Sequence, residues 1–294
     1  MKAYTLSDKL LSWLAYLFMG LFSIAAIIPF MTIVSTSLTD EQYIRAHGFD
    51  IFPHAITLDA YKYVLGRGSS IIGAYQVTLF VTFVGTAFSL LLTTMMGFAL
   101  SRREWRMSVP ISFFVYFTML FNGGIVPWYI VTTKYLHLYD SLAALILPYA
   151  INAFNLIVLR SFFSTIDNAI FEAARIDGAN DLKLLFNIAL PLAMPGLATI
   201  GLFYSISYWN DWWLSLMLIS DRELYPLQLL IRAITSNISY ATSSGANASI
   251  AAASIPKEGV KMATTVLTIG PIILLYPLLQ RYFVKGLTIG SVKG

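Results

Sequence analysis

An all-α, polytopic membrane protein is the fold class the sequence predicts, on three observations. Of the 294 residues, 57% are hydrophobic and only 12% are charged, with mean hydropathy +0.72. A water-soluble domain of that make-up would lack the polar surface to cover itself. The apolar residues are also gathered into runs as long as the ~20 residues a helix needs to cross a hydrocarbon core. Lysine and arginine stand at the ends of these runs, so the net charge of +4 reads as orientation in a bilayer rather than affinity for nucleic acid.

Six transmembrane helices are expected: roughly Leu10 to Val34, Ile71 to Leu100, Met107 to Thr133, Leu142 to Leu159, Pro195 to Ser220 and Met262 to Leu279. The first is no cleaved signal, because Leu10 to Thr39 carries no charge and outruns the roughly 7–15-residue core of a signal peptide. The third contains LFNGGIVPWY, Leu120 to Tyr129, where Asn122, Gly123, Gly124 and Pro127 either break the helix beside protein or water, or pack it closely against a neighbour. The fourth is the shortest and contains Pro148, Asn152 and Asn155. Before the fifth, Pro191 and Pro195 are expected to end one helix and start another, which carries Asp211 within it. Basic residues favour the side holding both termini, most clearly in the turn Ser101 to Arg106. On the other side, Ser35 to Ser70 has room for a small helix or two. RELYPLQLLIRAI, starting at Arg222, reads as an amphipathic helix ahead of a small-residue, low-complexity tract.

Glu172 to Pro191 is a charged, glycine-broken island between apolar runs. Ile166, Ile170, Ala173 and Ala174 fall on one helical face, with Asp167, Glu172 and Arg175 on the other, where Glu172 and Arg175 can pair. Gly178 allows a positive φ, Asn180 or Asp181 can cap a second helix, and Pro191 would end it. A helix, sharp turn and helix suit either an elbow on the membrane surface or a socket for a partner protein.

The spacing Glu172, Ala173, Ala174, then Gly178, then Ile188, Leu190 and Pro191 resembles the EAA loop of the membrane subunits of ABC importers. The resemblance implies the type I ABC importer permease fold, with residues 1–70 forming the first span and outer loop. Residues 71–294 would be the permease core, with the coupling loop at 161–194. It implies that Glu172, Ala173, Ala174, Arg175, Asp177, Gly178 and Pro191 couple to an ATPase. The implied partners are a second homologous permease, two ATP-binding subunits that hold ATP and magnesium, an extracytoplasmic solute-binding protein and the lipid bilayer. The implied location is the bacterial cytoplasmic (inner) membrane, with both termini cytoplasmic.

Asp211 is the only carboxylate deep in an expected span, where an ionised side chain costs roughly 2.5–3.5 kcal/mol on insertion scales. It stands ~16 residues past Pro195, about 24 Å along the helix at 1.5 Å per residue. Tyr204, Ser207, Tyr208 and Ser215 are spaced to share its face, and Trp209, Asn210, Trp212 and Trp213 flank it. These residues suit either an interfacial aromatic belt with Asp211 bonded to a neighbouring helix, or a translocation pathway for sugar. In the pathway reading, hydroxyls meet polar partners and C–H faces stack on rings, with Asn152 and Asn155 as further polar lining and Gln76 as another polar residue able to face inward.

YWNDWW is similar to the fifth-span sequence of carbohydrate importer permeases, and the glycine-rich RYFVKGLTIGSVKG ending is similar to that of maltose-type permeases. The FxGGxxPxY segment, Phe121 to Tyr129, resembles the branch that serves large oligosaccharides, including uronic-acid chains such as alginate oligomers. Within that branch, the chain looks like a second membrane subunit. No span interior contains a lysine or arginine, which either counts against a polyuronide or places its cationic lining on the partner permease.

Catalysis has no candidate site in this chain. There is no G-x-x-x-x-G-K-[ST] loop to cradle phosphate and no G-x-S-x-G elbow. Cysteine is absent, and the three histidines lack metal-ligand spacing. An ion-coupled secondary transporter or channel is the alternative, and its provision of coupling groups is Asp211 alone. An intramembrane enzyme would need the nucleophile, base or metal set that is missing.

Overall fold

The computed structural model describes residues 6–66, 69–102, 104–243 and 257–270. They are helical throughout, apart from turns and one isolated bridge between Thr39 and Ile56. They cluster into two compact units: residues 6–66 with 233–243 and 257–270, and residues 69–232.

In the first unit, α1 (Leu6–Ser37) exposes its apolar side chains all round from Leu10 to Met31, as a helix surrounded by lipid would. Two short helices follow, α2 (Glu41–His47) and α3 (Asp59–Gly66), as the mixed polar composition of this loop led one to expect. Asp40 caps α2 by accepting from Gln42 N at 2.9 Å, and the Ser37 and Tyr61 hydroxyls meet at 2.9 Å. Glu41 accepts from Glu258 N and Gly259 N at 3.1 and 3.2 Å, holding the first turn of the helix over residues 257–270.

The second unit is built on α4 (Ser69–Ser101), which packs along α11 (Met194–Trp209) and α8 (Ala153–Ser164). Hydroxyls tie α4 to α11: Thr93 to Tyr204 at 2.7 Å, Ser89 to Tyr208 at 2.8 Å and Thr86 to Ser205 at 3.3 Å. Lipid tails are as apolar as leucine, so close backbones and hydrogen bonds, rather than apolar burial, choose partners in a bilayer. Tyr204 and Tyr208 also reach across to the fourth span: Asn152 N donates to the Tyr204 hydroxyl at 3.0 Å, and the Tyr208 hydroxyl donates to Ile146 O at 3.0 Å.

Among the described residues, only Lys9–Ser37 and Ile71–Ser101 are straight helices long and apolar enough to cross a membrane. Three further candidates are bent pairs. The expected third span divides into α5 (Ser108–Leu120) and α6 (Ile125–Tyr135), which meet at 116°. The break falls at Phe121 to Gly124, where Gly124 has φ +90° and its N–H is held by the Asn122 side chain at 2.9 Å. The fourth divides into α7 (Leu142–Tyr149) and α8 at 52°, with Asn152 capping α8 through Asn155 N at 3.0 Å. The third pair, α10 (Asp181–Leu192) and α11, bends by 86° at Ala193. Pro195 lies in the first turn of α11, as expected. The expected sixth span is described only to residue 270 and the low-complexity tract only to residue 243, as the end of a helix, while the glycine-rich C-terminal ending lies outside the described residues.

Two expectations need correction. Pro191 does not end its helix; α10 runs through it to Leu192. Leu184–Ala189 is π-wound, with Leu190 N donating to Leu185 O, and this wider turn accommodates the proline that follows it. Nor does Asp211 lie within a continuous helix: α11 ends at Trp209, and a new short helix, α12 (Trp213–Leu218), begins beyond it.

Candidate functional site

Two features of the second unit invite a functional reading, a protruding elbow and a polar cavity. The elbow is α9 (Asn168–Ile176) followed by α10. Asp167 caps α9 by accepting from Ala169 N at 3.0 Å, and Asn180 caps α10 by accepting from Lys183 N at 2.9 Å. Between them, Gly178 takes φ +80°. Its N–H donates to Arg175 O at 3.0 Å and that of Ala179 to Ala174 O at 2.9 Å, the paired bonds of a Schellman stop.

Phe171 buries fully against Phe98, their ring centroids 5.9 Å apart, and Ala174 packs beside it. That choice rotates the inward face from the expected one. Ile170, Ala173 and Ile176 point outward, Ile176 with 87% of its surface exposed. Glu172, Arg175, Asp177 and Gly178 are exposed with them. The expected Glu172 to Arg175 pair does not form. Arg175 reaches Glu104, on the turn after α4, and Asp181 at 3.5 Å, because the Schellman stop folds α10 back toward its guanidinium.

Arg102, on the same turn, lies over the Phe171 ring at 4.1 Å. The turn that sequence marked only as an orientation signal is therefore the seat of the elbow. The hydrogen bond from Arg175 holds the Glu104 carboxyl below its ordinary 4.5 and raises the guanidinium. A lowered carboxyl contributes above its ordinary pKa and loses that contribution as pH falls through the lowered one, so the bridge is intact at neutral pH and fails only in acid. Exposed bridges of this kind contribute below about 1 kcal/mol each. Arg175→Ala is expected to leave the melting midpoint of the protein within about 2 °C, and a larger fall would mark the bridge as a fold contact.

The cavity, about 910 Å³, lies against the bend of the fourth span and the break between α11 and α12. Asn152, Asn155, Tyr204, Asn210, Asp211 and Trp212 border it, together with Tyr149 and Trp213. Tyr208 and Trp209, also expected in a pathway, do not border it and are buried. Gln76 is exposed and away from it.

Asp211 is the corner pin. Its Oδ1 accepts from the Tyr149 hydroxyl at 3.1 Å and Leu214 N at 3.3 Å, and its Oδ2 from Ser215 N at 3.3 Å and Ser215 Oγ at 3.2 Å. It caps α12 and ties it to the fourth span. Removing one acceptor strands several part-buried donors, at about 1–3 kcal/mol each for those that stay dry. Asp211→Ala is thus expected to lower the melting midpoint by several degrees, while Asp211→Asn, which still accepts, loses less; equal losses would show that the four bonds do not hold the corner. Beside it Trp213 packs on Trp128 of α6, centroids 5.0 Å apart. The broken NGG segment thereby brings α6 to this site. Among the described residues no group of acids and histidines is arranged to hold a metal.

Residues 1–289 match the family described as binding-protein-dependent transport system inner membrane component. The chain belongs to that family. This permease is 39% identical, over 98% of its length and 100% of the other's, to the polygalacturonan/rhamnogalacturonan transport system permease protein YtcP of Bacillus subtilis. It is 40% identical to protein LplC of the same organism, over 95% of this chain and 93% of that one. It also superposes on a chain from the crystal structure of a bacterial ABC transporter involved in the import of the acidic polysaccharide alginate. That match has TM-score 0.83 and 32% identity and covers 96% of this chain and 100% of that one. The all-α, multi-pass permease fold expected from sequence is the fold of this family.

Proposed function

We propose that the permease carries an acidic oligosaccharide into the cell, energised by ATP hydrolysed on partner subunits. The observation that carries this is the cavity: amides, phenols and two indoles around roughly a thousand cubic ångströms suit sugar hydroxyls and C–H faces. The relatives' names, polygalacturonan/rhamnogalacturonan and alginate transport, support a uronate-bearing chain. A second permease would close the other side of the pathway, and a solute-binding protein would deliver the sugar. Two ATP-binding subunits, with their ATP and magnesium, would grip the exposed Glu172 to Gly178 elbow. Both termini then lie in the cytoplasm. Closure of the ATPase dimer would reach α4 through Phe171 and the Glu104 turn and switch the pathway from outward to inward access.

An ion-coupled transporter is less well provided for, because Asp211 already accepts four hydrogen bonds within this chain. The test is co-purification of the complex followed by ATP hydrolysis across a panel of oligogalacturonides, alginate oligomers and neutral oligosaccharides. Stimulation by the uronates is expected; transport by the isolated chain on an ion gradient would overturn the reading.

A further inference from the structure

We infer that Arg232 is the carboxylate-reading residue of the sugar cavity, held over the Trp212 ring to receive a uronate. The inference rests on the acidic-oligosaccharide reading above and answers a difficulty within it. Among the described residues no lysine or arginine borders the cavity, so from them an acidic sugar would meet only neutral groups and the saturated Asp211.

Arg232 lies on α13 (Leu227–Ser243), 20 residues beyond Trp212 in sequence, and its guanidinium carbon stands 3.9 Å from the centroid of the Trp212 ring. Two anchors set that position. Leu227 N donates to Thr78 Oγ1 at 2.8 Å, and Leu227 and Leu229 are buried, fixing the first turn of α13. One helical turn before Arg232 and on the same face, Gln228 Nε2 donates to Asn210 Oδ1 at 3.3 Å. Gln228 and Arg232 are therefore joined to two cavity-lining residues, Asn210 and Trp212.

Arg232 is exposed, and among the described residues it enters no ion pair. With the cation over the indole and in no ion pair among the described residues, its guanidinium offers the N–H fork that binds a carboxylate through two parallel hydrogen bonds. The indole restrains the side chain before the ligand arrives, so less rotamer freedom is lost on binding. A pyranose ring set against the Trp212 and Trp213 indoles would bring its C5 carboxylate within reach of such a fork, while its hydroxyls face Asn152, Asn155 and Asn210. This pairing was not legible before the fold, since Arg232 sits on an amphipathic helix where a basic residue looks like any solvated one.

The experiment uses the assembled transporter in nanodiscs. Direct binding and ATPase stimulation by the loaded binding protein are both measured with an oligogalacturonide and with its carboxyl-reduced counterpart. Wild type is expected to favour the acid form, and Arg232→Gln to lose that preference by about tenfold while handling the reduced sugar as before. Arg232→Lys, which keeps the charge but not the fork, should fall between. An equal loss for both sugars in Arg232→Gln would make Arg232 a packing or docking residue and overturn the inference, as would an unchanged preference. Wild type that responds to neither sugar would sink the acidic-oligosaccharide reading itself, and this inference with it.

Discussion

Gly178→Val is expected to cut substrate-stimulated ATP hydrolysis by the assembled transporter at least about tenfold, with binding of the sugar-loaded binding protein unchanged. Gly178 stands at φ +80° with no atom within 4 Å of where a Cβ would go, so conformation rather than space forbids a side chain there. Holding an L-residue in the left-handed region costs about 1–2 kcal/mol, more for a β-branched one, and a strain of that size shifts a two-state population by a factor of about 5–30. The chain would relieve it by abandoning the bonds to Arg175 O and Ala174 O, which set the angle between α9 and α10. Glu172, Ala173 and Ile176 would then face a partner in the wrong orientation. Gly178→Asn is the control, because asparagine tolerates the left-handed region. It should retain most of the coupling. Full stimulation in the valine variant would show that the turn does not aim the elbow.

Gly85→Ala should destabilise the permease by about 1–3 kcal/mol, the usual cost of overpacking. A methyl group at Gly85 would stand 2.8 to 2.9 Å from three carbons of the Tyr208 ring. That ring cannot swing aside without loss. Its hydroxyl is bonded to Ser89 at 2.8 Å and to Ile146 O at 3.0 Å, and its body is buried against Tyr149. Gly97→Ala, three turns along the same helix, is the matched comparison: its nearest neighbour would be Arg160 N at 3.5 Å, an ordinary contact. Alanine also favours helix over glycine by about 1 kcal/mol. The melting midpoint of the purified complex is expected to fall for Gly85→Ala and to hold or rise for Gly97→Ala. Equal midpoints would mean that the α4 to α11 seam is not closed on the Tyr208 ring.

Much of the elbow was legible from sequence because its geometry is local. Gly178 and Asn180 act within a few residues of themselves, through φ and through backbone N–H groups that any helix start leaves free. The side of the elbow that faces inward was not legible, because Ile170, Phe171, Ala173 and Ala174 all satisfy an apolar helical face. Phe98 and Arg102, more than sixty residues earlier, decided among them. Asp211 divides the same way: its importance followed from being a lone carboxylate in an apolar run. Its role as the cap of a new helix follows from Tyr149 and Ser215 lying where they do.

By itself, then, the sequence determined the class of the protein, the placement of most of its helices and its sharp turn. These depend on hydropathy, on backbone conformation and on residue types that are simply present or missing. Tertiary structure alone decided that the third and fourth candidate spans are bent, that tyrosines of α11 brace α7 and α8, that Arg175 bonds to Glu104, and that Arg232 lies on Trp212. In a bilayer the apolar surfaces of all the spans are nearly equivalent to one another and to lipid, so hydropathy cannot choose which of them meet. That choice falls to hydroxyls, glycines and charges far apart in the chain, whose pairing exists only once the helices are side by side.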